Sequence, residues 1–204
     1  MKVVRKFELL LSATVGVAVA LCCAPAWAHL NSTGMGPIYD GSMHFLASPE
    51  DLVPVFALAL FSGQRGARYG RRALLVLPAS WLVGGLVGLT ACLSNGSPIG
   101  SAIWFLLFGG LLAGDVRLSL NTTTALAAAL GLYHGYLNGT GMRQAESATV
   151  SLLGLTLSVF VVVALAAALV VPLRAYWARI AVRVAGSWIA ASGILMLGWA
   201  VRTA

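Results

Sequence analysis

The chain has 204 residues, of which 59% are hydrophobic and only 9% are charged, and its formal net charge at pH 7 is +7. An ordinary soluble domain carries about 25% charged residues, so this composition excludes a soluble protein and indicates one integral membrane bundle. The basic residues lie between apolar runs, which is typical of membrane orientation and does not indicate nucleic-acid binding. Cys22, Cys23 and Cys92 form neither a disulfide framework nor a Cys-x-x-Cys metal pair.

Residues 1–28 have the features of a cleaved secretory signal peptide. A basic start is followed by an apolar run from Leu9 to Cys22, and Ala26-Trp27-Ala28 supplies a small-x-small cleavage site. Cleavage there leaves His29 at the start of the mature chain, where its amine and its ring could together chelate a metal ion. The alternative is that the segment is retained as a further helix.

Residues 29–204 are predicted to form a single all-α domain, a bundle of six transmembrane helices preceded by an outer segment. We place the outer segment at residues 29–48 and the spans at about 49–63, 73–93, 99–113, 122–138, 148–173 and 184–201. The first span is shorter than the about 20 residues that cross a bilayer. It must therefore begin near the membrane surface, or residues 36–47 must dip into the membrane beside it.

The arginines sort to one side of this predicted bundle. Inner segments hold eight of them, at positions 65, 68, 71, 72, 117, 174, 179 and 183, and outer segments hold Arg143 and Arg202. By the positive-inside rule the 64–72 loop is cytoplasmic, so both mature termini face the periplasm of a bacterial inner membrane. All three histidines and four of the five mature acids then face that same outer side.

Acids and a histidine gather at the start of the first span. Asp40 and His44 are four residues apart, so they share one face if their segment is helical. Ser48-Pro49-Glu50-Asp51 is typical of a helix start, with serine as N-cap, proline at the first helical position and acids at the positive end of the dipole. A carboxylate and an imidazole on one face suit a divalent cation. The alternative is a helix cap beside a hydrogen-bonded surface histidine.

The fourth span carries His134, with Asn138 one helical turn later. A histidine inside a membrane is costly and indicates a functional site, although an interhelical hydrogen bond is the alternative. Glycines at four-residue spacing, which let helices approach closely, recur in three predicted spans. They are Gly84 and Gly88, Gly110 and Gly114, and Gly131, Gly135 and Gly139.

A signal that ends in Ala-His, six spans, an acid-and-histidine motif at the first span and His134-Gly135 in a later one are found together here. In these features the chain resembles the HupE/UreJ family of small membrane proteins, which are accessory to hydrogenase and urease and are regarded as nickel or cobalt permeases. Asp40 and His44 stand where the family motif usually has an adjacent acid and histidine. Asn138 stands at the place of a second histidine, and Thr140 at that of an acid.

The resemblance implies a permease that takes nickel or cobalt from the periplasmic side, with metalloenzyme maturation proteins or a larger membrane complex as further partners. The predicted metal-site residues are His44, His134, Asp40, Glu50, Asp51, Asn138 and His29. We also expect the rings of His44 and His134 to lie within about 5 Å of each other, because each ligand nitrogen sits ~2 Å from a shared ion.

The residues also bear on two other classes of function, a metal-binding subunit and an enzyme. The alternative is a non-transporting subunit that binds copper or zinc, for which Met35, Met43 and Met142 supply thioethers, unless they only anchor the outer segment at the lipid surface. Neither an ATP-binding loop nor a Gly-x-Ser-Gly nucleophile motif is present in the sequence, so we expect neither an ATP-driven pump nor an enzyme.

The arginine distribution predicts which loops are accessible from outside the cell. In a chain without its native cysteines, Asn95→Cys should react with an impermeant thiol reagent and Ala67→Cys should not, because the first lies in an outer turn and the second in a cytoplasmic loop. Labelling of intact cells with and without permeabilisation measures this. The reverse pattern would overturn the predicted orientation.

Overall fold

The computed structural model describes residues 33–91, 97–172 and 175–203. In these ranges the chain forms seven α-helices and no strands, so the all-α prediction is confirmed. The helices are α1 (Pro37–Ala47), α2 (Pro49–Gln64), α3 (Ala67–Thr90), α4 (Pro98–Ala113), α5 (Leu120–Met142), α6 (Ala148–Val170) and α7 (Tyr176–Thr203). The predicted signal peptide and His29 lie outside the described residues.

Among the described helices, α3, α6 and α7 are long and apolar enough to cross a membrane. The pair α1 and α2 passes the same test as one broken span, with a bend of 76° between the two helices. Helix α4 is apolar but has only 16 residues, which is short for a span. The chain therefore has the helices of a membrane protein, whereas the count of six spans stays a prediction.

Each predicted span overlaps a helix, but the bounds differ, and several helices begin earlier or end later than predicted. Helices α3 and α7 begin at Ala67 and Tyr176, within segments that the arginines had marked as loops, and α5 continues to Met142. Arginine is a good helix former, and its long stem carries the guanidinium to the polar boundary, so a basic segment does not have to be a loop. Helix α1 lies within the predicted outer segment and packs against α6.

Helix α2 is at the centre of the bundle. Ten of its 16 residues are buried, and it contacts α3, α4 and α6. Pro54 lies inside this helix, at its sixth residue, where its missing N–H removes one intrahelical hydrogen bond. Asp51 and Gln64 lie near opposite ends of this helix, about 20 Å apart at ~1.5 Å per residue, so α2 connects the two ends of the bundle.

Glycines bring the backbones of α3 and α5 into direct contact. A Cβ added at Gly135 would overlap the carbonyl oxygen of Trp81, and one added at Gly88 would overlap that of Tyr136. The glycine ridges predicted for the second and fourth spans are therefore confirmed, and they face each other. This close approach leaves little room for side chains between α3 and α5. It also brings His134, the neighbour of Gly135 in the chain, against Trp81 of α3.

The prediction for the third span was wrong. Nothing lies within 4 Å of a Cβ added at Gly110, and Gly114 meets only its own segment. The neighbouring Gly109 instead packs against the backbone of α7, where its added Cβ would lie 2.9 Å from Ala190 Cα. Helix α4 is apolar around its whole circumference, so the glycine spacing did not show which face meets a neighbour.

The α3–α5 contact predicts opposite effects of alanine at two glycines. Gly135→Ala should lower the free energy of unfolding by about 1–3 kcal/mol, because the new methyl group overpacks the contact. Gly110→Ala, with open space around it, should raise that free energy by about 0.5–1 kcal/mol, because alanine has the lower conformational entropy in the unfolded chain. Unfolding in detergent measures both. Equal effects of the two substitutions would contradict the close contact.

Candidate metal site

The bend between α1 and α2 places a histidine on one side of Ser48 and two acids on the other. Ser48 is the N-cap of α2, and Glu50 and Asp51 lie in the first turn of that helix, as the sequence predicts. The serine hydroxyl does not cap α2, however, because it donates to the carbonyl oxygen of His44 at 2.6 Å. That bond satisfies a carbonyl at the end of α1 and so helps to fix the bend.

Asp51 joins the start of α2 to the middle of α5. Its Oδ1 lies 2.7 Å from Nδ1 of His134, and its Oδ2 accepts a hydrogen bond from Nδ2 of Asn138 at 2.9 Å. The same Asn138 amide donates to the carbonyl oxygen of His134 at 2.9 Å. Asp51, His134 and Asn138 are 5%, 1% and 7% exposed, so the three form a buried polar cluster.

The contact with Asp51 determines which nitrogen of His134 is free. A charged carboxylate only accepts hydrogen bonds, so Nδ1 of the ring must carry the proton and donate. In the neutral ring Nε2 then bears the lone pair, and this atom is buried with no hydrogen-bond partner among the described residues. A histidine with one N–H bound to a carboxylate and its other nitrogen free has the arrangement of a metal-ligating histidine.

Aromatic side chains hold the ring of His134. Trp81 stacks on it with ring centroids 5.7 Å apart and an angle of 24° between the planes, and Tyr133 meets it edge to face at 5.1 Å. Trp104 lies tilted beside it at 6.4 Å. These contacts restrict rotation of the imidazole and keep water from its faces, so the ring has a fixed place before any ligand binds.

A cavity of about 360 Å³ lies beside this cluster, and we call it the outer cavity because the predicted orientation puts it toward the outer side. Five of the seven residues that the sequence analysis proposed for a metal site line it: His44, Glu50, Asp51, His134 and Asn138. Ser101, Thr140, Met142 and Met196 also line it, so the cavity offers nitrogen, oxygen and thioether donors. The fourth span thus approaches the first, as predicted.

The other two proposed residues lie elsewhere. Asp40 is not among the residues that line the outer cavity, and its Oδ1 accepts from the amide and the hydroxyl of Thr33, at 2.5 Å and 2.7 Å. His29 lies outside the described residues. Within the described ranges, no three or more His, Cys, Asp or Glu side chains converge closely enough to hold a metal ion by themselves. The sharing of one ion by His44 and His134 stays a prediction.

Sequence reasoning missed part of the lining. Met196, near the end of α7, lines the outer cavity without belonging to any motif in the sequence, although the predicted topology puts it close to the outer surface with the other candidates. Of the three methionines that were considered, only Met142 lines the outer cavity, whereas Met35 and Met43 are 64% and 45% exposed. The sequence does not indicate that Trp81 and Trp104 lie beside His134, because both are distant from it along the chain.

A family model described as HupE / UreJ protein matches residues 17–196, which is nearly the whole chain and includes every residue that lines the outer cavity. No curated protein and no solved structure matches the chain.

The hydrogen bond from Asp51 predicts one tautomer of His134. Nitrogen NMR of the histidine-labelled protein, with the signal assigned by its loss in His134→Gln, should show Nδ1 protonated and Nε2 bare. Asp51→Asn should mix the two tautomers, because an amide can donate as well as accept. Glu50→Gln is the matched control and should leave the signal unchanged. A proton on Nε2 alone in the unsubstituted protein would contradict this assignment.

Proposed function

The chain belongs to the HupE/UreJ family, and on that premise we propose that it is a permease for a divalent transition-metal cation, nickel or cobalt. The single observation that carries the proposal is the buried Nε2 of His134, which has no hydrogen-bond partner among the described residues although Asp51 holds the ring from the other side. The cation is the cargo, and the outer cavity is the site that receives it from the periplasm.

The donors around the outer cavity suit this cargo. Imidazole nitrogen together with carboxylate oxygen is a ligand set for nickel, cobalt or zinc, and His44, His134 and Glu50 supply it. Asp51 acts on the ring of His134, because a carboxylate at Nδ1 raises the basicity of Nε2 and fixes its orientation. Asn138 occupies the other oxygen of Asp51, which favours an orienting role for that carboxylate over direct ligation.

The loose arrangement of the donors supports transport over storage. A permeating ion must bind well enough to leave water and weakly enough to move on. Within the described residues the His, Asp and Glu side chains share a cavity but do not close around one point. A resident structural metal would need a closed set of ligands, whereas a transient one can keep part of its water.

The bend at Ser48 also favours a transporter. Secondary transporters commonly form their substrate sites where a membrane helix is broken, because unwound backbone and helix ends then face the substrate. Here the break lies between His44 and Glu50, and both residues line the outer cavity. Nothing in the sequence indicates ATP binding, so we propose that movement is downhill or driven by a partner.

A second candidate function rests on the thioethers. Met142 and Met196 line the outer cavity, and thioether together with imidazole favours copper, especially Cu(I). A membrane subunit that binds copper or zinc and does not transport it would use the same cavity. Uptake by the purified protein separates the two functions, because only a permease moves the ion across a bilayer.

Metal uptake into proteoliposomes tests the permease. His134→Ala and His44→Ala should each abolish uptake of Ni²⁺ or Co²⁺, because each removes a nitrogen ligand. Asp51→Asn should lower it about 10–100-fold through the orientation of His134, and Asn138→Ala should lower it less. Asp40→Asn is the matched control for Asp51→Asn and should transport normally, since Asp40 is not in the cavity lining.

Two outcomes would contradict the permease. Full uptake by correctly folded His134→Ala would remove the ligand on which the proposal depends. Binding of Cu(I) or Zn²⁺ to the detergent-solubilised protein, with no uptake of any tested metal, would instead support the non-transporting subunit. Competition among Ni²⁺, Co²⁺, Zn²⁺ and Cu(I) in the same vesicles gives the order of preference.

A further inference from the structure

A second cavity, of about 520 Å³, lies at the opposite end of α2. We call it the basic cavity, because three arginines line it: Arg65, Arg117 and Arg179. Its other polar lining is Gln64 and Tyr69, and its apolar wall is Leu118, Val170 and Val182. The walls come from the end of α2, from the α2–α3 and α4–α5 connections and from α3, α6 and α7, so the cavity lies between helices at the end of the bundle.

The charge of the basic cavity is only partly balanced. Asp115 bridges two of the arginines, with Oδ1 at 2.7 Å from Nη2 of Arg65 and Oδ2 at 2.9 Å from Nη2 of Arg179. Arg117 makes no hydrogen bond or ion pair with the part of the chain that the structure describes. One carboxylate against three guanidinium groups leaves an excess of two positive charges, so the cavity attracts anions.

Two polar atoms at this cavity also need a partner. Nε of Arg65 and Oε1 of Gln64 are buried and form no hydrogen bond within the described ranges. The Nη2 group of Arg65 is already used, because it donates to Asp115 and to the carbonyl oxygen of Val116. A partner for these atoms must accept from the guanidinium and donate to the amide oxygen, since unpaired buried polar atoms are costly.

We propose that the basic cavity binds a phosphate group with an adjoining hydroxyl. Phosphate oxygens match the fork of a guanidinium, and the hydroxyl supplies the donor that Oε1 of Gln64 lacks. An anionic phospholipid with a glycerol headgroup has this chemistry, as does hydrogen phosphate in solution. Basic pockets between membrane helices bind lipid headgroups, and Leu118, Val170 and Val182 provide an apolar wall beside the charged groups for acyl chains.

Such a ligand would link parts of the bundle that have few other contacts. Arg65 follows α2, Arg117 lies between α4 and α5, and Arg179 lies in the first turn of α7. Helix α7 packs chiefly against α4 and touches α2 only slightly. A phosphate held by all three arginines therefore ties α7 to the central helix, so binding should raise the thermal stability of the protein.

The experiment measures binding and stability of the full-length protein in detergent. Native mass spectrometry and thermal unfolding are recorded with phosphatidylglycerol, with zwitterionic phosphatidylcholine, and with inorganic phosphate. Arg117→Gln removes a cavity arginine that has no partner among the described residues, so the fold should persist, as circular dichroism can verify. Arg72→Gln is the matched control, because Arg72 is exposed at the same end of the bundle and does not line the cavity.

We expect phosphatidylglycerol to bind and to raise the unfolding temperature, and phosphatidylcholine to do neither. Arg117→Gln should weaken binding about tenfold or more, and Arg72→Gln should leave it near the unsubstituted level. If inorganic phosphate reproduces the effect and the same Arg117→Gln loss, phosphate binding is supported with solution as its source. Absence of binding by both ligands, or equal losses in the two variants, would overturn the proposal. The outcome does not depend on metal transport.

Discussion

The rest of the structure depends on one buried carboxylate, that of Asp51, which requires hydrogen-bond donors. Asp51 is almost fully buried, and an isolated charge in such a place is very costly unless it is hydrogen-bonded. Both of its oxygens find donors on α5, from His134 and Asn138. The start of α2 must therefore lie against the middle of α5, and α5 can come that close because it shares a glycine-lined backbone contact with α3.

The bend at Ser48 and the glycine contact act on the same site from two sides. The bend turns α1 away from α2, so His44 and the acids reach one cavity, and Phe45 of α1 packs edge to face on Trp81. Trp81 in turn stacks on His134. The imidazole is thus held by a carboxylate at one nitrogen and by rings on its faces, and only its Nε2 remains for a ligand.

Features that depend on a few neighbouring residues could be predicted from the sequence. The start of α2 at Ser48 and Pro49 follows from capping and proline geometry, and the one-turn spacing of His134 and Asn138 follows from the helical period. Which face of α4 meets a neighbour could not be predicted, because this helix is apolar on nearly every side. For that reason Gly110 was expected where Gly109 packs. The sequence also did not indicate that Asp51, and not Glu50, binds His134, or that Asp40 lies away from the outer cavity.

Helices α4 and α7 pack chiefly on each other, and they contribute Ser101 and Met196 to one wall of the outer cavity. The opposite wall, with Asp51, His134 and Asn138, belongs to α2 and α5, whose positions are set by buried hydrogen bonds and backbone contact. The cavity thus has one wall held by buried hydrogen bonds and backbone contact, and one wall formed by a helix pair that packs chiefly on itself. A sideways shift of the α4–α7 pair would change the width of the cavity without breaking the hydrogen bonds of His134 to Asp51 and Asn138.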